Sequence, residues 1–91
     1  MGQLHLIKTE NGFNKAQNFV SKGDELLLIE ESVYLGIEKP SSIQKENIFL
    51  LLEDLDLRGL LDLIEKYNFN IVSYQDMVKI VAEAQKTITW F

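Results

Sequence analysis

Two groups of carboxylates are the residues in this sequence whose types and spacing best suit chemistry. Glu30 and Glu31 follow one apolar run, and Glu53, Asp54 and Asp56 follow another. Neighbouring carboxylates can act as general acid and base or hold Mg²⁺, and α/β folds bind ligands beyond the carboxyl ends of their strands. Acids in the first turn of a helix also complement its dipole, which is the interpretation that the sequence favours. A small acid-catalysed or metal-dependent enzyme using Glu30, Glu53 or Asp54 is the least favoured of the hypotheses kept open.

Arg58 and His5 are the other residues with catalytic potential. Arg58 follows Asp54 by four residues, which predicts an ion pair within one helical turn. His5 is the only histidine and falls in the first predicted strand, so a two-histidine metal site is excluded. We expect His5 to be hydrogen-bonded near the sheet edge or an interface rather than catalytic.

Several kinds of chemistry are excluded by what the sequence lacks. Its five glycines are too far apart for a dinucleotide fingerprint or a P-loop, and no serine lies in a G-x-S-x-G elbow. The chain has no cysteine, which rules out disulfides, thiolate zinc sites, iron–sulfur clusters and any persulfide-carrying thiol. We therefore predict no catalytic residue, no cofactor and no metal site.

Short apolar runs supply the elements that must position these side chains. Residues 4–7, 26–29 and 48–52 are apolar or nearly so without alternation, which is typical of parallel strands covered on both faces. Residues 71–72 make a shorter fourth strand, and the tail 87–91 adds a final edge strand. With helical spacing between them, the pattern predicts an α/β fold, a small three-layer α/β/α sandwich around a mostly parallel four- or five-stranded sheet.

Four helical regions are predicted between the strands from apolar residues spaced three and four apart. The first helix carries Phe13, Ala16, Phe19 and Val20 on one face and ends at the cap Gly23. The second stops before Pro40, and the third is interrupted or bent near Gly59. The fourth, and clearest, begins at the N-cap Ser73.

Composition and charge indicate the class of protein and the kind of partner. With 46 % hydrophobic and 25 % charged residues, residues 1–91 are expected to form a single domain. The start of the sequence does not resemble a signal peptide and no apolar run is long enough for a membrane helix, so we expect a cytoplasmic protein without membrane contact. Of the net charge of −5, residues 24–65 carry eleven acids against three bases. Such a chain repels phosphate backbones, so direct nucleic-acid binding is not expected and a basic partner surface is favoured.

Four stretches, in order, resemble the DsrH/TusB family. "FLLLEDLDLRGL" is similar to its strand–turn signature of an acidic pair followed by L-x-x-R-G. "QLHLIK" resembles the N-terminal strand, "KGDELLLIEESVYLGI" the G-D segment, and "IVSYQDMVKIV" the start of the last helix. A tryptophan close to the C-terminus, here Trp90, also fits, and the resemblance spans the whole chain.

The resemblance implies a sulfur-relay subunit. Members of the family sit with DsrE/TusD-like and DsrF/TusC-like subunits in a heterohexamer that receives persulfide sulfur and hands it on. In one branch the sulfur reaches the 2-position of the tRNA wobble uridine, and in the other it serves dissimilatory sulfur oxidation. The sequence does not decide between these branches. It also leaves open a homo-oligomer, in the form of a self-associating DsrH-like scaffold or regulatory module that transfers no sulfur.

One departure from the family pattern bears on catalysis. Some DsrH proteins carry a cysteine seven residues before the glycine of the G-D segment, which is Gly23 here, and Ala16 occupies that position. The chain is therefore expected to be a non-catalytic accessory subunit whose partner carries the sulfur. The candidate partner-interface or signature residues are His5, Tyr34, Asp54, Arg58, Gly59 and Trp90.

Overall fold

The chain folds around a single five-stranded sheet in which every neighbouring pair is parallel. The computed structural model describes residues 2–38, 47–64 and 69–91. The strands run in the order β4-β3-β2-β1-β5, so β4 and β5 form the two edges. Their bounds are β1 Leu4–Ile7, β2 Glu25–Leu28, β3 Ile48–Leu51, β4 Asn70–Val72 and β5 Thr87–Trp90.

Helical segments make every connection between strands, as parallel pairing requires. Two of these connections are divided: a 3₁₀ turn, Glu30–Ser32, precedes α2, and the connection after β3 contains α3 and α4. The helices are α1 Glu10–Ala16, α2 Val33–Glu38, α3 Leu52–Leu57, α4 Leu61–Ile64 and α5 Tyr74–Glu83. The predicted order of elements is confirmed.

The helices lie on both faces of the sheet, which explains the unbroken apolar runs. Leu26 and Leu28 of β2 face a core cluster that includes residues of α1, α2, α3 and α4. Leu27 points to the opposite face, where Leu4 and side chains of α5 complete a second cluster. A strand covered in this way is apolar at successive positions rather than at alternate ones. The three-layer α/β/α arrangement is therefore confirmed.

Two of the predicted local signals act as expected. The Ser73 hydroxyl accepts a hydrogen bond from the Asp76 N–H at 3.2 Å and caps α5. Gly59, with a φ of +68°, separates α3 from α4, because this left-handed conformation is easily adopted only without a Cβ. The predicted bend near Gly59 is confirmed.

The first helix is shorter than predicted. It ends at Ala16 with Gln17 as its C-cap, so the prediction that it extends through Phe19 to a cap at Gly23 was wrong. Phe19 lies outside the helix, where its ring stacks on Trp90 at a centroid distance of 5.4 Å. Gly23 instead takes a φ of +91° in the turn that leads into β2. The predicted stop of the second helix before Pro40 lies outside the described residues.

Within the three described segments of the chain, no helix has the length and apolar character needed to cross a membrane.

Candidate functional site

Asp54 lies at the centre of the charged residues on the carboxyl edge of the sheet. The parallel strands all end at this edge, so side chains that are distant in sequence meet there. Asp54 Oδ2 accepts a hydrogen bond of 2.7 Å from the backbone N–H of Glu30. Asp54 Oδ1 accepts from Arg58 Nη1 at 3.4 Å. This carboxylate therefore joins the segment after β2 to both ends of α3.

The predicted ion pair between Asp54 and Arg58 is confirmed, although it is less exposed than a surface contact. The two side chains are 18 % and 23 % exposed. The turn beyond them is closed by backbone hydrogen bonds from Gly59 N–H to the Asp56 carbonyl and from Leu60 N–H to the Leu55 carbonyl. Asp54, Arg58 and Gly59 thus lie at the turn between α3 and α4.

Glu53 binds backbone rather than a ligand. Its Oε1 and Oε2 lie 3.0 Å and 3.2 Å from the backbone nitrogen of Tyr74, which donates to them. Tyr74 is the first residue of α5, and the first N–H groups of a helix have no partner within the helix. The carboxylate of α3 therefore satisfies the start of α5 and complements its dipole.

Glu30 holds an unusual backbone conformation at the same edge. Its φ is +54°, and it is the one described residue other than glycine in the left-handed region. Its carboxylate lies 3.6 Å from Lys8 Nζ in an exposed ion pair. Because such a conformation is unfavourable for a residue with a Cβ, the hydrogen bond to Asp54 must help to hold it.

The described acids of this edge lack the spacing of a metal site. Among residues 2–38, 47–64 and 69–91, no three histidine, aspartate or glutamate side chains are placed to hold a metal ion together. Glu53 and Asp54 are instead bonded to backbone N–H groups and to a guanidinium. Glu53 and Asp54 lie in the first turn of α3, as the sequence suggests, but their hydrogen bonds go to the segments that begin at Glu30 and Tyr74.

His5 and Trp90 form a buried polar network on the face of the sheet that α1 covers. Trp90 Nε1–H donates to His5 Nδ1 at 2.9 Å, and the His5 side chain has no exposed surface. Because an indole nitrogen can only donate, Nδ1 must be the acceptor. The ring hydrogen therefore lies on Nε2, which donates to Asp24 Oδ2 at 2.9 Å.

Asp24 completes this network and was not among the predicted site residues. Its Oδ1 accepts from Gln3 N–H at 2.8 Å and its Oδ2 from Ser21 N–H at 2.9 Å, besides the bond from His5. Burial by itself would raise the pKa of the Asp24 carboxyl. The hydrogen bonds from Ser21, His5 and Gln3 outweigh that effect and hold the pKa below its ordinary value of 3.8.

The arrangement fixes His5 instead of leaving it free for catalysis. One nitrogen is held by Trp90 and the other by Asp24, and the ring is closed off from solvent. The three side chains link β1, the turn before β2 and the edge strand β5. The expectation of a hydrogen-bonded histidine next to the sheet edge is confirmed, since β1 is the neighbour of β5.

Several side chains outside these two clusters differ in exposure. Ala16, at the position of the family cysteine, is the last residue of α1 and fully buried. Tyr34 is 37 % exposed, and Tyr74 and Phe91 are 57 % and 68 % exposed. That His5, Tyr34, Asp54, Arg58, Gly59 and Trp90 meet a partner subunit stays a prediction.

Arg58→Ala is expected to lower the free energy of unfolding by about 1 kcal/mol, because it leaves the half-buried Asp54 carboxylate without its ion pair. Urea unfolding followed by circular dichroism measures the change. Lys8→Ala is the matched control, since its ion pair with Glu30 is exposed and should contribute less than about 0.5 kcal/mol. If Arg58→Ala is as stable as the wild type, Arg58 does not help to stabilise the turn.

Comparison with known proteins gives two matches. A family model described as "DsrH like protein" matches residues 8–87. Protein TusB of Photorhabdus laumondii is similar to this chain, with 25 % identity over 83 residues that cover 86 % of each protein. Both matches agree with the family that the four sequence stretches resemble.

Proposed function

The chain belongs to the DsrH-like family, and on that basis we propose that it is a sulfur-relay subunit that carries no sulfur itself. The proposal rests on the observation that this member of the family has no cysteine. A relay step needs a thiolate that attacks a persulfide and keeps the sulfur atom, and no other side chain does this at neutral pH. The chemistry must then lie on another chain.

The position of Ala16 supports an accessory role. This residue is fully buried at the end of α1. At the position where some relatives carry a thiol, this chain has an alanine methyl group that packs in the core. Three carboxylates are also engaged within the fold: Asp54 holds Arg58, Glu53 holds the start of α5, and Asp24 holds His5. The chain is accordingly proposed to be no enzyme.

The proposed assembly is a heterohexamer with two copies each of this chain, a DsrE/TusD-like chain and a DsrF/TusC-like chain. The DsrE/TusD-like chain would carry the persulfide, and the complex would act in the cytoplasm. It would supply sulfur either to 2-thiolation of the tRNA wobble uridine or to dissimilatory sulfur oxidation. Contact with the tRNA itself falls to other components, because the net charge of −5 opposes binding of a phosphate backbone.

Native mass spectrometry on the tagged protein, isolated from its own cells, tests the assembly. We expect two copies of this chain with two copies of each of two related small subunits. One subunit should lose the mass of a sulfur atom after treatment with a reducing thiol, which cleaves a persulfide. A free monomer or a homo-oligomer without a cysteine-bearing partner would contradict the proposal and favour the self-associating scaffold.

A further inference from the structure

Exposed apolar side chains are concentrated in the segments that follow β2, β3 and β4. Of the nine large apolar residues that are exposed in the described part of the chain, five fall within residues 30–35, 52–57 and 74–78. Leu57 and Tyr74 are the most exposed of these five, at 79 % and 57 %. Large apolar side chains that cluster on a surface commonly mark a contact with another molecule.

Hydrogen bonds already described make these three segments neighbours in space. Asp54 binds the backbone N–H of Glu30, and Glu53 binds that of Tyr74. The starts of the 3₁₀ turn, α3 and α5 therefore form one continuous surface. We call it the carboxyl-edge surface, and its exposed members are Tyr34, Leu52, Leu57, Tyr74 and Val78 with the acids Glu30, Glu31, Glu53, Asp56 and Asp76.

The charge of this surface has one sign. Residues 30–35, 52–57 and 74–78 contain six acids and no base. Arg58 and Lys8, from outside these segments, each pair with one of the acids. An apolar surface on which six acids face two bases keeps a negative net charge, and it is complementary to an apolar surface surrounded by arginine or lysine.

The backbone at Glu30 is an independent sign of a functional surface. Its left-handed φ of +54° is retained although a residue with a Cβ disfavours it. Strained backbone persists where the surrounding contacts hold it, and it is found most often at sites that bind or react.

We propose that the carboxyl-edge surface docks a partner protein that presents arginine or lysine around an apolar centre. The inference rests on the proposed function and identifies a face through which this chain joins a partner subunit of that assembly. A second copy of the chain docked through the same surface would place acids against acids. A nucleic acid would be repelled for the same reason.

Binding of charge-reversed variants to the purified DsrE-like and DsrF-like chains from the same cells tests the inference. The edge variant is Glu31→Lys with Asp76→Lys, and the matched control is Asp62→Lys with Glu83→Lys, which also replaces two exposed acids. Both change the net charge by the same amount. We expect the edge variant to bind at least about 30-fold more weakly than the wild type, and the control within about threefold.

A second pair of variants tests the apolar part of the surface. Leu57→Ser removes an exposed side chain of the carboxyl-edge surface, whereas Phe91→Ser removes a side chain of similar exposure, 68 % against 79 %, elsewhere. Neither side chain supports the core, so both variants should fold. Leu57→Ser is expected to weaken binding by about tenfold and Phe91→Ser to leave it unchanged.

The outcomes separate the inference from the proposed function. Wild-type binding with equal affinities for the edge variants and their controls would overturn the inference and leave the sulfur-relay assembly standing. Absence of wild-type binding to the two subunits would overturn both. Loss of binding in the edge variants alone, with a wild-type association rate that falls as salt is added, is the expected result.

Discussion

Asp24→Ala is expected to lower the free energy of unfolding by about 3 kcal/mol, a large part of the roughly 5–10 kcal/mol typical of a domain of this size. The carboxylate accepts hydrogen bonds from Gln3 N–H, Ser21 N–H and His5 Nε2. The fully buried His5 would keep Trp90 on one nitrogen and lose the acceptor of the other. An unpaired buried donor loses its bond to water without replacement, so this effect should exceed that of Arg58→Ala.

Urea unfolding at neutral pH measures this loss, and Asp62→Ala is the matched control. Asp62 is an exposed aspartate in α4, and its removal should change stability by less than about 0.5 kcal/mol. A second variant, Asp24→Asn, keeps the shape of the side chain but replaces one acceptor oxygen by a donor group. A stability of Asp24→Ala within 1 kcal/mol of the wild type would show that water replaces the carboxylate.

The difference in stability between the wild type and Asp24→Asn should depend on pH. The folded-state pKa of Asp24 is lowered, so its carboxylate stabilises the fold fully above the ordinary value of 3.8. That contribution is lost as the pH falls below 3.8 and through the folded-state value. The gap in stability between the wild type and Asp24→Asn should therefore be constant near neutrality and shrink below about pH 4. A gap that does not change with pH would contradict the role assigned to the charge.

The parallel strands could be predicted from the sequence, because a strand that is buried on both faces is apolar at successive positions. Residues 4–7 and 48–52 show little alternation, and this pattern is typical of a parallel strand covered on both faces. The bend at Gly59 was equally visible, since glycine after a short helical turn is a common way to leave it. Both signals depend on residues that are close in sequence, so they can be recognised without knowledge of the tertiary contacts.

The parts that the sequence did not predict depend on contacts between distant residues. Asp24 lies 19 residues from His5, and Trp90 lies 85 residues from it, so no spacing rule connects them. A buried histidine needs hydrogen-bond partners for both ring nitrogens, and this can be expected from the sequence. Which residues are these partners depends on the order of the strands in the sheet. Phe19 was assigned to α1 for a similar reason: its helical spacing was correct, and its stacking on Trp90 could not be seen.

The carboxyl edge shows how the same local signal can conceal a tertiary role. Glu53 and Asp54 were expected to act on the dipole of their own helix. Each instead reaches an N–H group of another segment, Tyr74 and Glu30 respectively. These two acids therefore hold together the segments that follow β2, β3 and β4. The exposed apolar side chains of the proposed docking surface belong to the same three segments.

Gly12→Ala is expected to displace the edge strand β5 and lower the free energy of unfolding by about 2 kcal/mol. A Cβ at Gly12 would lie 2.6 Å from the carbonyl oxygen of Trp90 and 2.8 Å from the backbone nitrogen of Phe91. These are backbone atoms that no rotamer change can move aside. Alanine favours a helix over glycine by up to about 1 kcal/mol, which offsets only part of the clash. Because β5 pairs with β1 alone, the strand should yield before the core does.

Hydrogen exchange of single amides locates this displacement. Lys8 N–H donates to the Trp90 carbonyl at 3.1 Å and Leu4 N–H donates to the Lys86 carbonyl at 2.9 Å, so the two amides report on opposite ends of the β1–β5 pair. We expect the protection of Lys8 to fall at least about tenfold and that of Leu4 to fall less, since the clash lies beside Trp90. Gly59→Ala is the control: no atom lies within 4 Å of its added Cβ, and its φ of +68° alone should cost about 1 kcal/mol without affecting either amide. If Gly12→Ala is instead more stable than the wild type, with both amides still protected, α1 can move away from β5, and the close contact at Gly12 does not hold the edge strand in place.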